Sequence, residues 1–146
     1  MASGMSWVCV DENTELVGYA LVHEIANPRN PPHLDQVPSP AAWGGCHLFI
    51  HDVCVSPKNR AQGIGKELVR HVLDAASAAR YETITLVSLE ASVWFWIQFG
   101  FQTFGHAHEW NYRREYGEGS MLLLYTGYTG GGTCPRRVSG RPSVRP

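Results

Sequence analysis

Three features of the chain could do chemistry, and they lie close together. They are the pair His51-Asp52, the apolar stretch Val53-Cys54-Val55 that follows, and the turn Arg60-Ala61-Gln62-Gly63-Ile64-Gly65-Lys66. A histidine side chain as a type titrates near neutral pH, so it can take a proton from a substrate under working conditions. The spacing Arg60-x-x-Gly63-x-Gly65 at the head of a helix is a seat for an anion. First-turn N–H groups lack intrahelical partners and carry partial positive charge. Glycine lets a ligand reach the backbone without obstruction by a Cβ, and a pyrophosphate fits such a seat. The turn lacks the Lys-Ser/Thr pair of a P-loop and the third glycine of the dinucleotide fingerprint, which argues against nucleoside triphosphate hydrolysis.

Metal chemistry finds less support. His47 and His51 have the i, i+4 spacing of a zinc helix, but on a strand they stand roughly 13 Å apart. His106 and His108 are better spaced but have no cysteine or carboxylate cluster beside them. No metal is expected.

These residues need a scaffold. Trp7 to Val10 and Leu16 to His23 are apolar runs on either side of a polar turn and read as a β-hairpin. Prolines 28, 31, 32, 38 and 40 exclude helix and central strand from Ala26 to Gly45. A loop of that length is functional or disordered as a rule. His47 to Val55 is apolar apart from His47, His51 and Asp52, and is expected as a central strand buried on both faces. Alternation along it puts His47, Phe49 and His51 on one face and Asp52 on the other. Ile64, Leu68, Val69, Val72, Leu73, Ala76 and Ala79 repeat at helical spacing after the glycine turn. Thr83 to Leu89 reads as a strand, and Glu90 to Phe99 as a short aromatic helix stopped by Gly100. Phe101 to His106 and Met121 to Tyr125 read as two more strands, joined by the polar, aromatic connection Ala107 to Ser120. The order β-β-β-α-β-α-β-β, with at least one β-α-β crossover, predicts an α/β (α+β) mixed sheet. Residues 1–125 form the expected domain. Residues 126–146, with five Gly, three Pro and four Arg, are expected to be a disordered tail.

Composition narrows the classes. A chain of 146 residues with 44% hydrophobic and 17% charged residues is one globular domain. No run of apolar residues is long enough to span a membrane, and Met1 to Ser6 has no basic residue followed by an apolar run, as a secretory signal would. Cys9, Cys46, Cys54 and Cys134 form no C-x-x-C pair and are read as free thiols of a reducing, cytoplasmic compartment. All 13 acidic residues precede the tail, which carries Arg136, Arg137, Arg141 and Arg145. An acidic body with a short basic end does not suit a nucleic-acid partner.

The central strand and the Arg60-x-x-Gly63-x-Gly65 turn with its helix resemble the acyl-CoA-binding core of the GNAT acetyltransferase superfamily. The stretch Ala91-Ser92-Val93-Trp94-Phe95-Trp96-Ile97-Gln98-Phe99-Gly100-Phe101 is similar to that family's second motif, at the family's separation of a helix and a strand. The Pro-rich loop followed by His47-Leu48-Phe49-Ile50-His51-Asp52-Val53-Cys54-Val55 most resembles the arylalkylamine N-acetyltransferase-like branch. The resemblance covers about residues 7–125. It implies a GNAT-like acyl-CoA N-acyltransferase fold. It also implies direct transfer of an acetyl group from acetyl-CoA to a primary amine, arylalkylamine-like or polyamine-like, with no metal.

Residue by residue, the resemblance gives the backbone of Val53, Cys54 and Val55 to the pantetheine arm. It gives the amides of Arg60, Ala61, Gln62, Gly63, Ile64 and Gly65 to the pyrophosphate, with Lys58, Lys66 and Arg70 near the outer phosphates. An alkylammonium, with a pKa of about 10.4, needs a base before it can attack. His51 matches a histidine position of the branch and is the first candidate, Asp52 the second and His47 the third. Phe49 stands where the branch often has another histidine. Trp96 stands where the family has the tyrosine that protonates the leaving thiolate. An indole N–H donates a hydrogen bond but is no acid, and a thiolate of pKa about 8.5 leaves tolerably without one. Trp96 is then expected to pack on the acyl-CoA, with Tyr112, Tyr116 and Tyr125 as replacement acids. Trp43, Trp94, Trp110 and Tyr112 are expected to line the amine pocket.

Family members begin with a strand and two helices ahead of the hairpin, whereas six residues precede Trp7 here. Either the amine site is abbreviated, another chain completes it, or the sequence is truncated, and the sheet face and edge left behind raise the expectation of a homodimer. Two other readings remain open. One is an acetyltransferase acting on protein or peptide amines, for which an acidic body favours basic substrates. The other is a non-catalytic acyl-CoA-binding module.

Overall fold

The structure, a computed structural model, describes residues 6–33, 45–104 and 111–127. The predicted tail from residue 128 onward, most of the Pro-rich loop, and Trp43, His106, His108 and Trp110 lie outside the described residues.

Six strands form one sheet in the order β1-β2-β3-β4-β6-β5. They are β1 (Trp7–Val10), β2 (Leu16–Ile25), β3 (His47–Val55), β4 (Thr83–Ser88), β5 (Gln102–Thr103) and β6 (Met121–Tyr125). The helices are α1 (Ile64–Ala78), α2 (Val93–Ile97) and α3 (Asn111–Tyr116). β1, β2 and β3 are antiparallel neighbours, as hairpin-connected apolar runs should be. β3 and β4 are parallel, with α1 as the crossover. The expected mixed sheet and its element order are therefore present, with two differences. β5 is only two residues long, and the polar, aromatic connection to the last strand contains α3, which the expected order lacked.

α1 explains most of the core. Leu68, Val69, Val72 and Ala76 on one of its faces are buried against Ala20, Val22, Leu48, Ile50, Ile84, Leu86 and Leu123 of the sheet. Each such Val, Leu or Ile side chain contributes about 1.5–3 kcal/mol relative to an exposed one. Trp96 and Phe101 extend the core under α2, with their rings edge-on at 5.5 Å. Gly100, at φ 94°, ends that segment in the left-handed region that glycine enters freely.

Two features of β3 position the site. Its ladder with β4 covers only His47 to Ile50, paired with Thr83 to Leu86. Beyond that point β4 stays paired with β6, through Ser88, and β3 with β2, through Val55. The two central strands part, and the β4-facing backbone edge of residues 51–55 has no strand partner among the described residues. At about 3.3 Å per residue this open edge is about 16 Å long. The second feature is a bulge. Leu21 pairs with Asp52 and Val22 with Ile50, so His51 is the extra residue.

The bulge corrects the expected facing of Asp52. Tyr19, Leu21 and His23 alternate onto the face of β2 away from α1, and the Tyr19 hydroxyl donates to Asp52 Oδ2 at 2.6 Å. The His51 ring meets both His23 and Phe49 on that same face. His51 and Asp52 therefore share a face, because the extra residue resets the alternation.

The cysteines need a correction as well. Cys9 and Cys54 are free, but Cys46 is disulfide-bonded. No helix among the described residues is long and apolar enough to cross a membrane.

Candidate active site

The end of β3 leads into the glycine turn without slack. The Ser56 amide donates to the Val17 carbonyl at 2.8 Å, and Pro57–Asn59 forms one turn of 3-10 helix. Arg60 Nε donates to the Val55 carbonyl at 3.4 Å and closes the turn on its own strand. Ala61 (φ 61°) and Gly63 (φ 84°) both take left-handed backbone. At Ala61 that conformation costs on the order of 1 kcal/mol, a kind of strain that collects at functional turns.

Gly63 is the N-cap of α1 and supplies no side-chain hydrogen bond to its first turn. The amides at the head of a 15-residue helix are thus left to an outside partner. A Cβ on Gly63 would meet nothing within 4 Å. One on Gly65 would come no nearer than 3.7 Å to Phe95 and Val55. Both glycines keep the backbone accessible where packing did not require it.

An open cleft of about 220 Å³ lies against this turn, lined by Val55, Asn59, Arg60, Ala61, Gly63, Ile64, Gly65, Lys66 and Phe95. Most of the expected phosphate seat is therefore gathered on one wall. Gln62 turns instead to a neighbouring hollow against Trp7 and Cys9. Arg70 is tied to Glu67 at 2.5 Å, so of the three expected outer cations Lys66 is the one that lines the cleft. Trp96 is 8% exposed and belongs to the core, packed on Phe95 and Phe101. Its neighbour Phe95 is the aromatic side chain in the cleft wall. Phe95 and Asn59 were not anticipated, although Phe95 sits in the aromatic motif that drew attention to Trp96. A phosphate-bearing thioester fits this wall, with amides, Arg60 and Lys66 for the anion and the open edge of residues 51–55 for an extended arm.

The titratable groups collect on the opposite face of the sheet. His51 is half-buried, and its Nδ1 is buried with no hydrogen-bond partner among the described residues. The ring of His23 lies edge-on to it, 5.5 Å between centroids. Burial, and secondarily the charge of His51, hold His23 below the usual histidine pKa. The hydrogen bond to Asp52, then burial and the Asp52 charge, push Tyr19 up to about 12, so its phenol stays protonated and keeps donating. Cys54, paired across from Tyr19, exposes its thiol on this face. His47 is committed elsewhere, its Nδ1 2.8 Å from Thr83 Oγ1 between the two parallel strands. Neither Tyr19 nor His23 was singled out from sequence. The alternation of β2 against β3 was the signal that could have found them.

The candidate acids separate by position. Tyr125 pairs with Ile84, on the fully paired stretch of β4, and packs on Phe101. Tyr116 ends α3, just ahead of the strand that begins opposite Ser88, and its hydroxyl is buried without a partner among the described residues. Burial, then the charge of Glu115, raises the Tyr116 pKa. Trp94 is 78% exposed, which leaves it no part in an enclosed pocket among the described residues. Trp43 and Trp110 fall outside the described residues, as does the side chain of Tyr112. Among the described residues no group of three or more His, Cys, Asp or Glu is arranged to hold a metal ion.

A mixed sheet whose parallel central strands part beside an uncapped helix is the architecture of the acyl-CoA N-acyltransferases. Residues 2–101 match the acetyltransferase (GNAT) family, and the chain belongs to it. Solved structures agree on the fold. A GNAT-like decarboxylase in complex with isobutyryl-CoA superposes with a TM-score of 0.65 at 18% identity, over 83% of this chain and 77% of its own. A Mycobacterium tuberculosis protein in complex with CoA gives 0.58 at 15%, over 83% and 75%. A GNAT-family acetyltransferase of Staphylococcus aureus gives 0.56 at 13%, over 82% of this chain and 65% of its own, so the chain spans under two thirds of that protein's length. No curated protein matches the chain.

Proposed function

We propose that this protein is an acetyl-CoA-dependent N-acetyltransferase of the arylalkylamine N-acetyltransferase-like branch. It transfers the acetyl group directly to the primary amine of a small arylalkylamine-like or polyamine-like acceptor. The observation that carries the reading is the uncapped head of α1, set at the mouth of the open edge of β3, with Arg60 and Lys66 beside it. Membership of the GNAT family supports acyl transfer from an acyl-CoA to an amine.

Acetyl-CoA supplies the acyl group as an activated thioester. The protein's part is to hold and to move a proton. The backbone of Val53, Cys54 and Val55 holds the arm, and the amides of Arg60 to Gly65 hold the pyrophosphate. His51, half-buried at the bulge, takes the acceptor's proton. Asp52, fixed by Tyr19, places a negative charge beside it and favours approach of an ammonium. Leu21, half-buried on the same face, suits the carbon skeleton of the amine.

The test has two stages. Acetyl-CoA at 100 times its Kd should stabilise the fold by about 2.7 kcal/mol, a rise in Tm on the order of 10 °C. Release of the CoA thiol is then followed with an arylalkylamine, a polyamine and a lysine-bearing peptide. Release with the peptide alone would move the acceptor to proteins. A raised Tm with no release for any amine would leave an acyl-CoA-binding module. An unmoved Tm in a cooperative transition would remove acyl-CoA from the reading altogether.

A further inference from the structure

We propose that the hollow between β1 and the first two turns of α1 is a second ligand site, for a small uncharged aromatic molecule that carries an N–H or O–H donor. The inference goes beyond the acetyltransferase reading and does not depend on it. The hollow holds about 250 Å³. Leu68, which is buried, and half-buried Trp7, Cys9 and Ile64 form its inner wall. Gln62, Glu67 and His71 stand exposed at its rim. Ile64 is the one residue it shares with the cleft at the glycine turn.

Small residues on β2 explain why the hollow exists. Cys9 pairs with Gly18 and Trp7 with Ala20, all on the face that meets α1. A Cβ on Gly18 would stand 3.3 Å from Ile64 Cγ2 and 3.3 Å from Leu68 Cδ1. The two helix residues therefore settle onto β2 where a side chain is missing, and the taller Trp7 and Cys9 of β1 rise beside them. The space between the two rows is the hollow. Protein interiors close such gaps as a rule. Apolar walls left open to water favour a guest that removes them from it.

The polar groups at the rim set the class of guest. Arg70 Nη1 donates to the Glu67 carboxylate, so the one acidic group of the lining is paired and gives a cation little preference. His71 Nδ1 lies 2.8 Å from the Glu67 carbonyl, which can only accept, so Nδ1 carries the hydrogen. In the neutral ring Nε2 is then the acceptor left for a ligand's donor. Gln62 adds an amide that both donates and accepts. Trp7 supplies an aromatic wall for a flat ring. Cys9, Glu67 and His71 share the hollow, yet among the described residues no three His, Cys, Asp or Glu are arranged to hold a metal ion.

Indole is the probe, since it is flat, uncharged and has one N–H. Titrated into the full-length protein at about pH 8, where an imidazole as a type is neutral, it should bind saturably with a Kd on the order of 1 mM or below. NMR shifts should move at Trp7, Cys9 and Leu68. Benzofuran, the same shape with an oxygen in place of the N–H, should bind about three- to tenfold more weakly. His71→Leu should erase that preference. Cys9→Leu, which fills the hollow, should abolish binding, and Gln62→Trp at the rim serves if the Cys9 variant unfolds. Saturating acetyl-CoA should leave indole bound. No saturation up to the solubility limit of indole, equal affinity for benzofuran, a preference that survives His71→Leu, or full affinity in the filled variant would overturn the site. Displacement of indole by acetyl-CoA would make the hollow part of the cleft and overturn a second site, while the acetyltransferase reading stands. Should acetyl-CoA itself fail to bind, that reading falls and indole binding is unaffected.

Discussion

Replacing Gly65 by alanine separates what the fold requires at the head of α1 from what a ligand there requires. In the free protein a Cβ at Gly65 stands 3.7 Å from Phe95 Cζ and 3.7 Å from Val55 Cγ2, ordinary van der Waals distances. Alanine is also favoured over glycine in a helix by up to about 1 kcal/mol. At this first-turn position a gain of roughly 0.5 kcal/mol is reasonable, or about 1–2 °C in Tm for a domain of this size. The ligand sees the change differently. The new methyl stands between Val55 and Phe95, both walls of the cleft, in front of amides that no side chain caps. Losing one charge-assisted hydrogen bond there costs about 1.5–3 kcal/mol, so the Kd for acetyl-CoA should rise about tenfold or more. Calorimetric unfolding of the free protein and titration calorimetry with acetyl-CoA measure the two effects separately. Gly63→Ala is the contrast: space is open around it, but φ is 84°, and the strain of about 1–2 kcal/mol should lower Tm by several degrees. A Gly65→Ala protein that is as stable as predicted and binds acetyl-CoA at wild-type affinity would refute the seat.

Two further predictions follow from the opposite face. His51→Ala should lower kcat by about 10²-fold or more while leaving acetyl-CoA affinity intact; wild-type turnover in the variant across pH 6–9 would remove His51 from the chemistry. Tyr19 has a folded pKa of about 12 against 10.0, so its contribution to stability is complete below pH 10 and is lost as pH rises through 10 toward 12. Tyr19→Phe should flatten that alkaline loss in urea-unfolding profiles, and identical profiles for the two proteins would show that the Asp52 contact does not hold in solution.

The order of elements was legible in the sequence because local signals agreed with it. The hairpin runs, the helical repeat of α1 and the Gly100 stop each depend on neighbours a few residues away. The cleft wall at the glycine turn was legible for the same reason, since one continuous turn supplies most of it. What escaped was cross-strand. His23 lies nearly thirty residues before His51 in the chain, and only the β2–β3 register brings the rings together. The register itself passes through a bulge that propensity along a mostly apolar run does not reveal. α3 escaped for another reason: Asn111-Tyr112-Arg113-Arg114-Glu115-Tyr116 has no apolar stripe, and a six-residue helix shows too little periodicity to read. Contacts beyond its own turn help to anchor it, among them Glu115 with His33.

The bulge left a trace in the sequence after all, and the trace explains why it exists. Leu48 and Ile50 pack on α1, and so do Val53 and Val55, yet the first pair is even-numbered and the second odd. A regular strand continued from Ile50 would turn Asp52 into the α1 core and Val53 out to solvent. Burying that carboxylate without a partner would cost several kcal/mol, far more than the one ladder position that the extra residue gives up. The insertion of His51 resolves the parity conflict, and its consequences reach the candidate site. It returns Val53 and Val55 to the core and gives Asp52 to Tyr19. It also stations the His51 ring on the face where His23 waits, at the point where β3 leaves β4. The same irregularity that keeps a charge out of the core therefore gathers Tyr19, His23, His51 and Asp52 on one face beside the open edge. A deletion that straightened β3 would lose stability and turnover together.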